Sequence, residues 1–358
     1  MSGKRAAVHF GNERVLFFSD LDGTCLEHRL PATLEREAEQ AMGAGIDALD
    51  NQCKAQGIDL IRGYITARPP SRIISQKLPD ADFTITHNGA LIYEGLPTHE
   101  KKPLASWLSV QQSSGFYPRQ VKDLALTLGK NRYPALKITT IEEVLGIPKH
   151  EADMFQVQFC VAADSIPLQR DETPKQFSQS SFKAPQQLLN FYTDLCRQLH
   201  AKGISFQSTP PYPSSLKNLP YLQFDISAPK ADKDNALAFL MKTLDVRPDH
   251  LIVAGDGQND TDLKINDGRK VIVVGPNQAL RRDVAQAVSP RNVVFRPSRE
   301  VSSLGVLNGL KAQLQAIQEE KSPFFPSGRP PEAAFSSSQA PSASFSPRPV
   351  TPRVNLTA

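Results

Sequence analysis

Two aspartates, Asp20 and Asp22, lie two residues apart directly after an apolar run of the sequence. The run 15–18 predicts a buried strand, and Gly23 allows the chain to turn sharply after it. A carboxylate can attack phosphorus and form an aspartyl-phosphate, which divides one difficult displacement into two easier ones. A second carboxyl group beside it can protonate the leaving oxygen and then activate water. The pattern therefore indicates phosphoryl transfer, with an aspartate-rich turn at a strand end as the alternative.

A second group of oxygen-bearing side chains follows another apolar run. The run 251–254 predicts a buried strand, and Asp256, Asn259 and Asp260 come directly after it. Such oxygen ligands suit Mg²⁺, which binds one or two carboxylates together with water and substrate phosphate. An EF-hand loop would need ligands at alternating positions and a final glutamate, which this segment lacks. The segment therefore predicts a partner of Asp20 in holding Mg²⁺, with an ordinary polar loop as the alternative.

Two further side chains could hold a phosphoryl group, although each is a weak signal by itself. Thr66 ends a predicted strand, 60–66, where its hydroxyl could bind a phosphoryl oxygen; a threonine there is more often a cap or a β-branched filler. Lys233 lies in the first turn of a predicted helix, 232–244, where its charge opposes the helix dipole. A site that collects carboxylates and a phosphate needs that charge, but Lys230 is a competitor, and either lysine could be an ordinary surface residue.

The rest of the sequence predicts how these segments are brought together. Apolar runs alternate with helical stretches near both ends of the chain, which is typical of a mainly parallel sheet with helices on both faces. Because the carboxyl ends of parallel strands meet at one edge, we expect Asp20, Thr66 and Asp256 to lie close together. The other predicted strands are 83–86, 271–274 and 292–295, and the other predicted helices are 34–56, one that begins near Pro69, and 301–318.

The middle of the chain and its end differ from this pattern. The middle contains an alternating strand at 155–161, a helix at 185–201 and a loop rich in proline and serine at 208–215, with a strand at 221–227 following at its far edge. We predict four segments: a first part of the α/β core at 1–90, an inserted α+β domain at 91–220, a second part of the core at 221–320 and a disordered Pro/Ser-rich tail at 321–358.

The composition argues against several classes of function. The chain has 358 residues, of which 40% are apolar and 22% charged, as in ordinary globular proteins. The net charge is +4, and the segment 321–358 supplies +3 of it, from four basic residues and one acidic residue. The remainder is nearly neutral, without a basic stripe for nucleic acid. No run approaches the roughly 20 apolar residues of a membrane span, and we find no secretory signal. Together with widely spaced cysteines, interpreted as free thiols, these features predict a cytoplasmic protein.

In their order along the chain, the four segments resemble the four motifs of the haloacid dehalogenase superfamily. These motifs read DxDGT at 20–24, the strand-end Thr66, Lys233 and GDxxND at 255–260. An insert between the second and third motifs resembles subfamily IIB, which includes Cof-type sugar phosphatases and sucrose-phosphate phosphatases. The segment His-Asn-Gly-Ala at 87–90 resembles a junction common in Cof-type members. The resemblance implies an α/β fold with a Rossmann-like core, a parallel sheet and an inserted α+β cap.

The resemblance also implies roles for the matching residues. Asp20 would be the nucleophile and a Mg²⁺ ligand, and Asp22 the general acid and base, with its backbone carbonyl on the metal. Thr66 and Lys233 would hold the phosphoryl group, and Asp256 would complete a metal site that Asn259 and Asp260 support. The implied substrate-binding residues are Thr66, Arg68, Asn88, Gly89 and Lys233. Weaker candidates for sugar contacts, each more often structural or solvated, are His87, Lys137 and Gln158.

Two positions depart from the family pattern. Ala67 replaces a common glycine, and we expect its side chain to narrow the loop of the second motif slightly. Asp234 replaces a frequent glycine beside Lys233, and we expect its carboxylate to draw some of the charge of that lysine. Neither change removes a catalytic group.

The function predicted from these residues and from the resemblance is a Mg²⁺-dependent phosphatase. Its substrate would be a small phosphorylated molecule, a sugar phosphate resembling sucrose 6-phosphate, hydrolysed through an aspartyl-phosphate. We expect neither nucleic acid nor membrane as a partner. Two alternatives remain open at this point: a phosphosugar mutase that retains the phosphorylated intermediate, and a binding module that keeps the fold without turnover.

Overall fold

The computed structural model describes residues 13–26, 32–76, 78–146, 155–162, 184–216, 219–257, 260–297 and 300–321. The strands are β1 (Glu13–Ser19), β2 (Ile58–Ile65), β3 (Phe83–Thr86), β4 (Leu91–Glu94), β5 (Ile138–Thr140), β6 (Gln156–Ala162), β7 (Gln207–Leu216), β8 (Leu219–Ser227), β9 (Leu251–Gly255), β10 (Lys270–Val273) and β11 (Val293–Phe295). The helices are α1 (Ala32–Ala55), α2 (Pro70–Ile74), α3 (Ala105–Gln112), α4 (Pro118–Arg132), α5 (Ile141–Leu145), α6 (Gln186–Ala201), α7 (Lys233–Leu244), α8 (Gln278–Ala287) and α9 (Ser302–Lys321). None of these helices is long and apolar enough to cross a membrane.

Seven strands form the first sheet, in the order β11-β10-β9-β1-β2-β3-β4. All neighbouring strands run parallel except β4, which is antiparallel to β3. Strand β1 lies near the centre, and its side chains alternate between the two faces, as strand geometry requires. Val15 and Phe17 contribute to one apolar core, and Leu16 and Phe18 to the other. This mainly parallel, doubly covered sheet confirms the predicted α/β fold.

Helices cover both faces of the first sheet. Buried residues of α1 and α9 pack on the face that carries Val15 and Phe17. Buried residues of α3, α7 and α8 pack on the face that carries Leu16 and Phe18. Because apolar layers enclose each strand on both sides, the strands read as continuous apolar runs in the sequence. The two apolar layers hold the strands in place, and the motif residues follow the strand ends at one edge of the sheet.

Four antiparallel strands form the second sheet, in the order β5-β6-β8-β7. One face packs against α4 and α6 in an apolar core of its own. The rings of Phe159 and Phe224 stack in that core with their centroids 4.9 Å apart. This arrangement of antiparallel strands and helices has the α+β character predicted for the middle of the chain.

The second sheet differs from the sequence prediction at its edge. The stretch 208–215, predicted as a loop, lies within strand β7. Its prolines are tolerated because β7 is the edge strand, where one side of the backbone needs no hydrogen-bonding partner. The register shifts between Thr209 and Tyr212, where Pro210 and Pro211 interrupt the pairing with β8.

The boundaries of the two sheets also differ from the predicted segments. Strand β4, placed in the insert by the prediction, belongs to the first sheet, and β8 belongs to the second sheet although most of it was assigned to the core. The hydrophobic pattern alone did not show which sheet each strand joins. The predicted tail, 321–358, lies outside the described residues except for Lys321, which ends α9.

Two side chains of α3 form hydrogen bonds to two segments that are distant in the sequence, one after β3 and one before α7. The indole Nε1 of Trp107 lies 3.1 Å from the carbonyl oxygens of both Gly89 and Ala90. Gln111, also on α3, donates from Nε2 to the carbonyl oxygen of Lys230 at 3.1 Å. Helix α3 therefore ties the turn between β3 and β4 to the segment that leads from β8 to α7.

Candidate active site

The carboxyl ends of β1 and β9 bring two motif segments together, as the topology predicts. The two strands pair directly, with Ser19 opposite Ala254. The backbone N–H of Asp20 donates to the carbonyl oxygen of Ala254 at 2.9 Å. One carboxylate oxygen from each of Asp20, Asp256 and Asp260 lies within 4.8 Å of the other two. This cluster is the centre of the candidate site.

Lys233 supplies the positive charge at this centre. Its Nζ lies 2.7 Å from Oδ1 of Asp20 and 2.6 Å from Oδ1 of Asp260, and the residue is only 4% exposed. Helix α7 begins at Lys233, and the Asp232 side chain caps it by accepting from the N–H of Asn235 at 2.7 Å. The cap fixes the start of the helix, so the lysine projects from a defined first turn.

The charges of the cluster fit a divalent cation. The cluster contains three carboxylates and the ammonium group of Lys233, so negative groups outnumber positive ones among these buried or half-buried side chains. Burial raises the pKa of Asp20 well above its ordinary value, and the negative charges of Asp260 and Asp256 add to that rise, whereas Lys233 opposes it. A hard cation bound by oxygen ligands would favour the ionised form of Asp20, and Mg²⁺ has that chemistry.

Hydrogen bonds and one glycine fix the loop carboxylates. Oδ2 of Asp260 accepts from the N–H groups of Asp256, at 3.1 Å, and Gly257, at 2.9 Å. Thr24 donates from Oγ1 to Oδ1 of Asp256 at 3.0 Å. Gly23 has a φ of +76°, and a Cβ there would lie 2.2 Å from Oδ2 of Asp256. Only glycine allows the loops after β1 and β9 to approach this closely.

Asp22, predicted as the general acid and base, is bound to Arg68. Nε of Arg68 donates to Oδ2 of Asp22 at 2.8 Å, and Nη2 donates to Oδ1. Thr66 is buried at the end of β2, and its Oγ1 accepts from the N–H of Arg68 at 3.1 Å. Of the predicted substrate residues, Arg68 therefore contacts Asp22, and Thr66 contacts the backbone of Arg68.

The segment after β3 has an unusual backbone. His87, Asn88 and Gly89 all have positive φ angles, of 50°, 53° and 105°. The N–H of Asn88 donates to the carbonyl oxygen of Thr66 at 3.0 Å, which ties this segment to the end of β2. Burial lowers the pKa of His87 to about 4, so its imidazole is neutral near pH 7. Glycine adopts positive φ freely, so the strain in this segment falls on His87 and Asn88, and the surrounding contacts must hold it.

Gly89 contacts the start of α7 rather than open space. A Cβ on Gly89 would lie 2.0 Å from the carbonyl oxygen of Asp232, so the backbones of the two segments are in direct contact. The glycine is therefore needed to place α7, and through it Lys233. Its contact with substrate, together with that of Asn88, stays a prediction.

The remaining predicted residues have different positions. Lys137 is exposed just before β5, and Gln158 lies in β6, so both belong to the second sheet and not to the aspartate cluster. Asn259 lies outside the described residues. Asp234 does not take the charge of Lys233, as the sequence suggested: its Oδ1 lies 2.8 Å from Nη2 of Arg269.

Sequence analysis missed two supporting side chains. Thr24 lies inside the first motif, but nothing in the sequence indicates that it binds Asp256 across the sheet edge. Arg269 carries no sequence signal, because its partner Asp234 lies far away in the chain and the pairing depends on the packed fold.

Comparisons with known proteins found a matching family model and similar solved structures. Residues 152–312 match the family model described as sucrose-6F-phosphate phosphohydrolase. The sucrose-phosphatase of Synechocystis, solved in complex with sucrose and phosphate, is 16% identical, with 85% of this chain and 98% of that chain covered and a TM-score of 0.49. A haloacid dehalogenase-like hydrolase protein of Bacillus subtilis, yhjK, is 14% identical, with coverage of 85% and 93% and a TM-score of 0.51. No curated protein sequence matches the chain.

These findings confirm three of the predictions. The likeness to the Bacillus subtilis structure supports the haloacid dehalogenase-like fold. The family-model match confirms the resemblance to the sucrose-phosphate phosphatases, and it includes Lys233, Asp256 and Asp260. The predicted class of enzyme, a phosphatase, is confirmed by that match as well, since the family model describes a phosphohydrolase.

Proposed function

We propose that this chain hydrolyses a sugar phosphate with the help of Mg²⁺, and that Asp20 accepts the phosphoryl group. One observation carries the proposal. Lys233 bridges Asp20 and Asp260 at 2.7 and 2.6 Å, beside the carboxylate of Asp256. Such a cluster combines a carboxylate nucleophile, a cation for the phosphoryl oxygens and an oxygen-rich site for a metal ion.

The first step is attack of an Asp20 carboxylate oxygen on phosphorus. The bond from phosphorus to the sugar oxygen breaks, and an aspartyl-phosphate forms. Lys233 and Thr66 bind the phosphoryl oxygens during this transfer. The unaided hydrolysis of phosphate monoesters is among the slowest known reactions, so placement and charge neutralisation must supply most of the acceleration.

Asp22 handles the proton in both steps. In its protonated form it donates to the leaving sugar oxygen, and as a carboxylate it then accepts a proton from the water that attacks the aspartyl-phosphate. The ion pair with Arg68 holds Asp22 at the mouth of the site before substrate binds. We propose that Asp22 leaves Arg68 when the leaving oxygen arrives, so that Arg68 can bind the substrate.

The metal ligands are Asp20, Asp256 and the backbone carbonyl of Asp22. Bound there, Mg²⁺ would neutralise charge on the transferring phosphoryl group. Asp260 supports this arrangement, because its two oxygens accept from Lys233 and from the backbone N–H groups of Asp256 and Gly257. We propose that Asn259 also supports the metal site.

The second sheet carries polar side chains that suit a leaving group with several hydroxyl groups. Along β8, Leu222, Phe224 and Ile226 enter the apolar core, so strand alternation places Gln223 and Asp225 on the opposite face. Both are buried polar residues, each 5% exposed. We propose that the second sheet and its helices form a cap, that this polar face turns toward the phosphoryl site, and that it binds the sugar hydroxyls. We place the protein in the cytoplasm on the same sequence grounds as before.

Phosphate release from a panel of hexose and disaccharide phosphates, with and without Mg²⁺, tests the proposal. The matched control is Asp20→Asn, which keeps the size of the side chain and removes the nucleophile. We expect Mg²⁺-dependent release that falls by at least about 10000-fold in Asp20→Asn. Interconversion of sugar phosphates with a bisphosphate present, without net release, would favour a mutase. A folded protein that does neither would overturn the proposal in favour of a binding role.

A further inference from the structure

The first turn of α7 is anchored on two sides. Lys233 contacts Asp20 and Asp260 on the side of the aspartate cluster. Asp234, the next residue along the helix, forms an ion pair with Arg269, with 2.8 Å between Oδ1 and Nη2. Successive helical residues point about 100° apart around the axis, so the two anchors act in different directions.

Arg269 is itself held in place. It is only 2% exposed, although it carries a charge. Its Nε donates to Oδ1 of Asp267 at 2.9 Å and its Nη2 donates to Oδ2 of Asp267 at 2.7 Å, while its backbone N–H also donates to Oδ1 at 3.1 Å. A planar guanidinium fixed by such a fork offers Asp234 a partner at a defined position, which a flexible surface lysine would not.

The placement of Lys233 depends on the rotation of this first turn. A lysine side chain has four rotatable bonds and loses much conformational freedom when it is held in one geometry. Gly89 contacts the backbone of Asp232 and Lys233, and buried residues farther along α7 pack in the core of the first sheet. The ion pair of Asp234 with Arg269 adds a side-chain restraint on the first turn itself, because it joins that turn to the segment before β10.

We propose that Arg269, acting through Asp234, is a positioning residue for Lys233. This inference rests on the proposed function, in which Lys233 binds the transferring phosphoryl group. Neither Asp234 nor Arg269 belongs to the four motifs, and the family pattern often has glycine in place of Asp234. The anchor is therefore a feature of this chain, added outside the motif residues.

The inference has a measurable consequence that a merely stabilising ion pair would not have. Loss of the anchor lets Lys233 shift relative to the phosphoryl group, and small misplacements of a catalytic group can lower rates by up to about 100-fold. We expect Asp234→Asn to lower kcat by about tenfold and to weaken binding of inorganic phosphate by a similar factor. KM for the sugar phosphate should change less than kcat, since the sugar contacts are untouched.

The chain offers a matched control in the adjacent residue of the same segment. Lys270 is 1% exposed and forms an ion pair with Glu320 of α9, with 2.7 Å between Nζ and Oε1. Glu320→Gln removes a helix carboxylate from a buried cation, as Asp234→Asn does, but α9 carries no residue of the site. We expect Glu320→Gln to lower the thermal midpoint about as much as Asp234→Asn and to leave kcat and phosphate affinity unchanged.

The experiment compares both variants and Asp234→Glu with the full chain in Mg²⁺ buffer, by steady-state kinetics and by calorimetric titration with inorganic phosphate. Asp234→Glu keeps the charge and should restore most of the activity. If Asp234→Asn does not fold, Arg269→Lys takes its place, since it keeps the charge but removes the fork. Equal kcat and phosphate affinity in Asp234→Asn and Glu320→Gln would overturn the inference and leave the proposed function standing. A wild type that binds phosphate without turning over substrate would overturn the proposed function, and the phosphate titrations would still decide the inference.

Discussion

The two sheets of this molecule carry their polar residues in different arrangements. At the edge of the first sheet, charged side chains lie in the loops after buried strands and in the first turn of α7. Asp260, for example, accepts from a backbone N–H group and from Lys233. On the second sheet, uncharged amides and one carboxylate, Asp225, lie along the strands themselves. The first arrangement fixes a few atoms at defined distances. The second distributes buried donors and acceptors along the strands, with Gln223 and Asp225 each 5% exposed.

The comparison shows where chemistry and selectivity reside. A phosphoryl group is the same in every phosphate monoester, so the groups that bind it can be fixed by the core topology. The alcohol varies between substrates, and under the proposed function the groups that recognise it lie on a separate layer, whose residues can change without disturbing the core. Substitutions at the two sheets should therefore fail in different ways: in kcat at the first sheet and in KM at the second.

After Asp20→Asn, the largest effect should follow removal of the cation from the first sheet. Lys233→Met leaves Asp20 and Asp260 without their shared partner, so transfer loses its charge stabilisation and the fold loses a buried ion pair. We expect kcat/KM to fall by roughly 1000-fold, and the free energy of unfolding to fall by about 3 kcal/mol. Steady-state kinetics and urea denaturation measure these two quantities.

The control for this variant is Lys242→Met, an exposed lysine on the same helix. It removes an equal charge from α7 and should leave both quantities nearly unchanged. Activity of Lys233→Met within tenfold of the wild type would contradict the assigned role of the lysine.

The stability of the fold should depend on pH through His87, in the turn between β3 and β4. The pKa of His87 is lowered from its ordinary value of 6.5 to about 4 by burial, so the unfolded chain binds a proton that the folded chain excludes between these values. Its contribution to stability is complete above pH 6.5 and is lost as the pH falls toward 4. At pH 5 the loss should be about 2 kcal/mol. Asparagine tolerates positive φ, so His87→Asn should remove this loss without straining the backbone.

Urea unfolding of both proteins at pH 7.5 and pH 5 measures the effect. The difference between wild type and His87→Asn isolates this histidine from the carboxylates, which titrate in both. His200→Asn, at an exposed position on α6, is the matched control. An equal loss of stability in wild type and His87→Asn between the two pH values would show that the imidazole is not held neutral.

Sequence alone predicted six of the seven strands of the first sheet but only two of the four strands of the second, β6 and β8. Strands such as β1 and β9 are enclosed on both faces, so their apolar runs are strong local signals, and parallel topology then forces Asp20 and Asp256 to the same edge. Strand β7 gave the opposite signal, because prolines normally exclude a strand. Its edge position, which makes them acceptable, is a property of the sheet and not of the segment.

The pairing of charged residues was equally invisible in the sequence. Asp22 and Arg68 were both identified as functional, yet nothing local indicates that they bind each other. Asp234 was expected to act on its neighbour Lys233, whereas the helix turns its carboxylate to Arg269. Sequence spacing fixes which strand end a residue occupies, but the direction of a long side chain depends on partners that only the packed fold supplies.

The smallest of these effects should come from the second sheet, where the comparison can be made sharpest. Asp225 is 5% exposed, and the hydroxyl of Tyr212 donates to its Oδ2 at 3.2 Å. Asp225→Asn exchanges an acceptor for a donor on the polar face. We expect KM for the preferred sugar phosphate to rise about tenfold, the value of roughly one hydrogen bond to a charged group, while kcat changes little. Hydrolysis of p-nitrophenyl phosphate, whose leaving group has no sugar hydroxyls, should be unaffected.

The matched control lies on the helical layer of the same unit. Asp194 on α6 accepts from the hydroxyl of Tyr133 at 2.7 Å, so Asp194→Asn makes the same chemical change on the side away from the polar face. It should leave KM unchanged for both substrates. If Asp225→Asn instead lowered turnover of p-nitrophenyl phosphate as strongly as that of the sugar phosphate, Asp225 would be acting on the phosphoryl site. The division of labour between the two sheets would then be wrong, because one residue of the second sheet would serve the chemistry that we assign to the first.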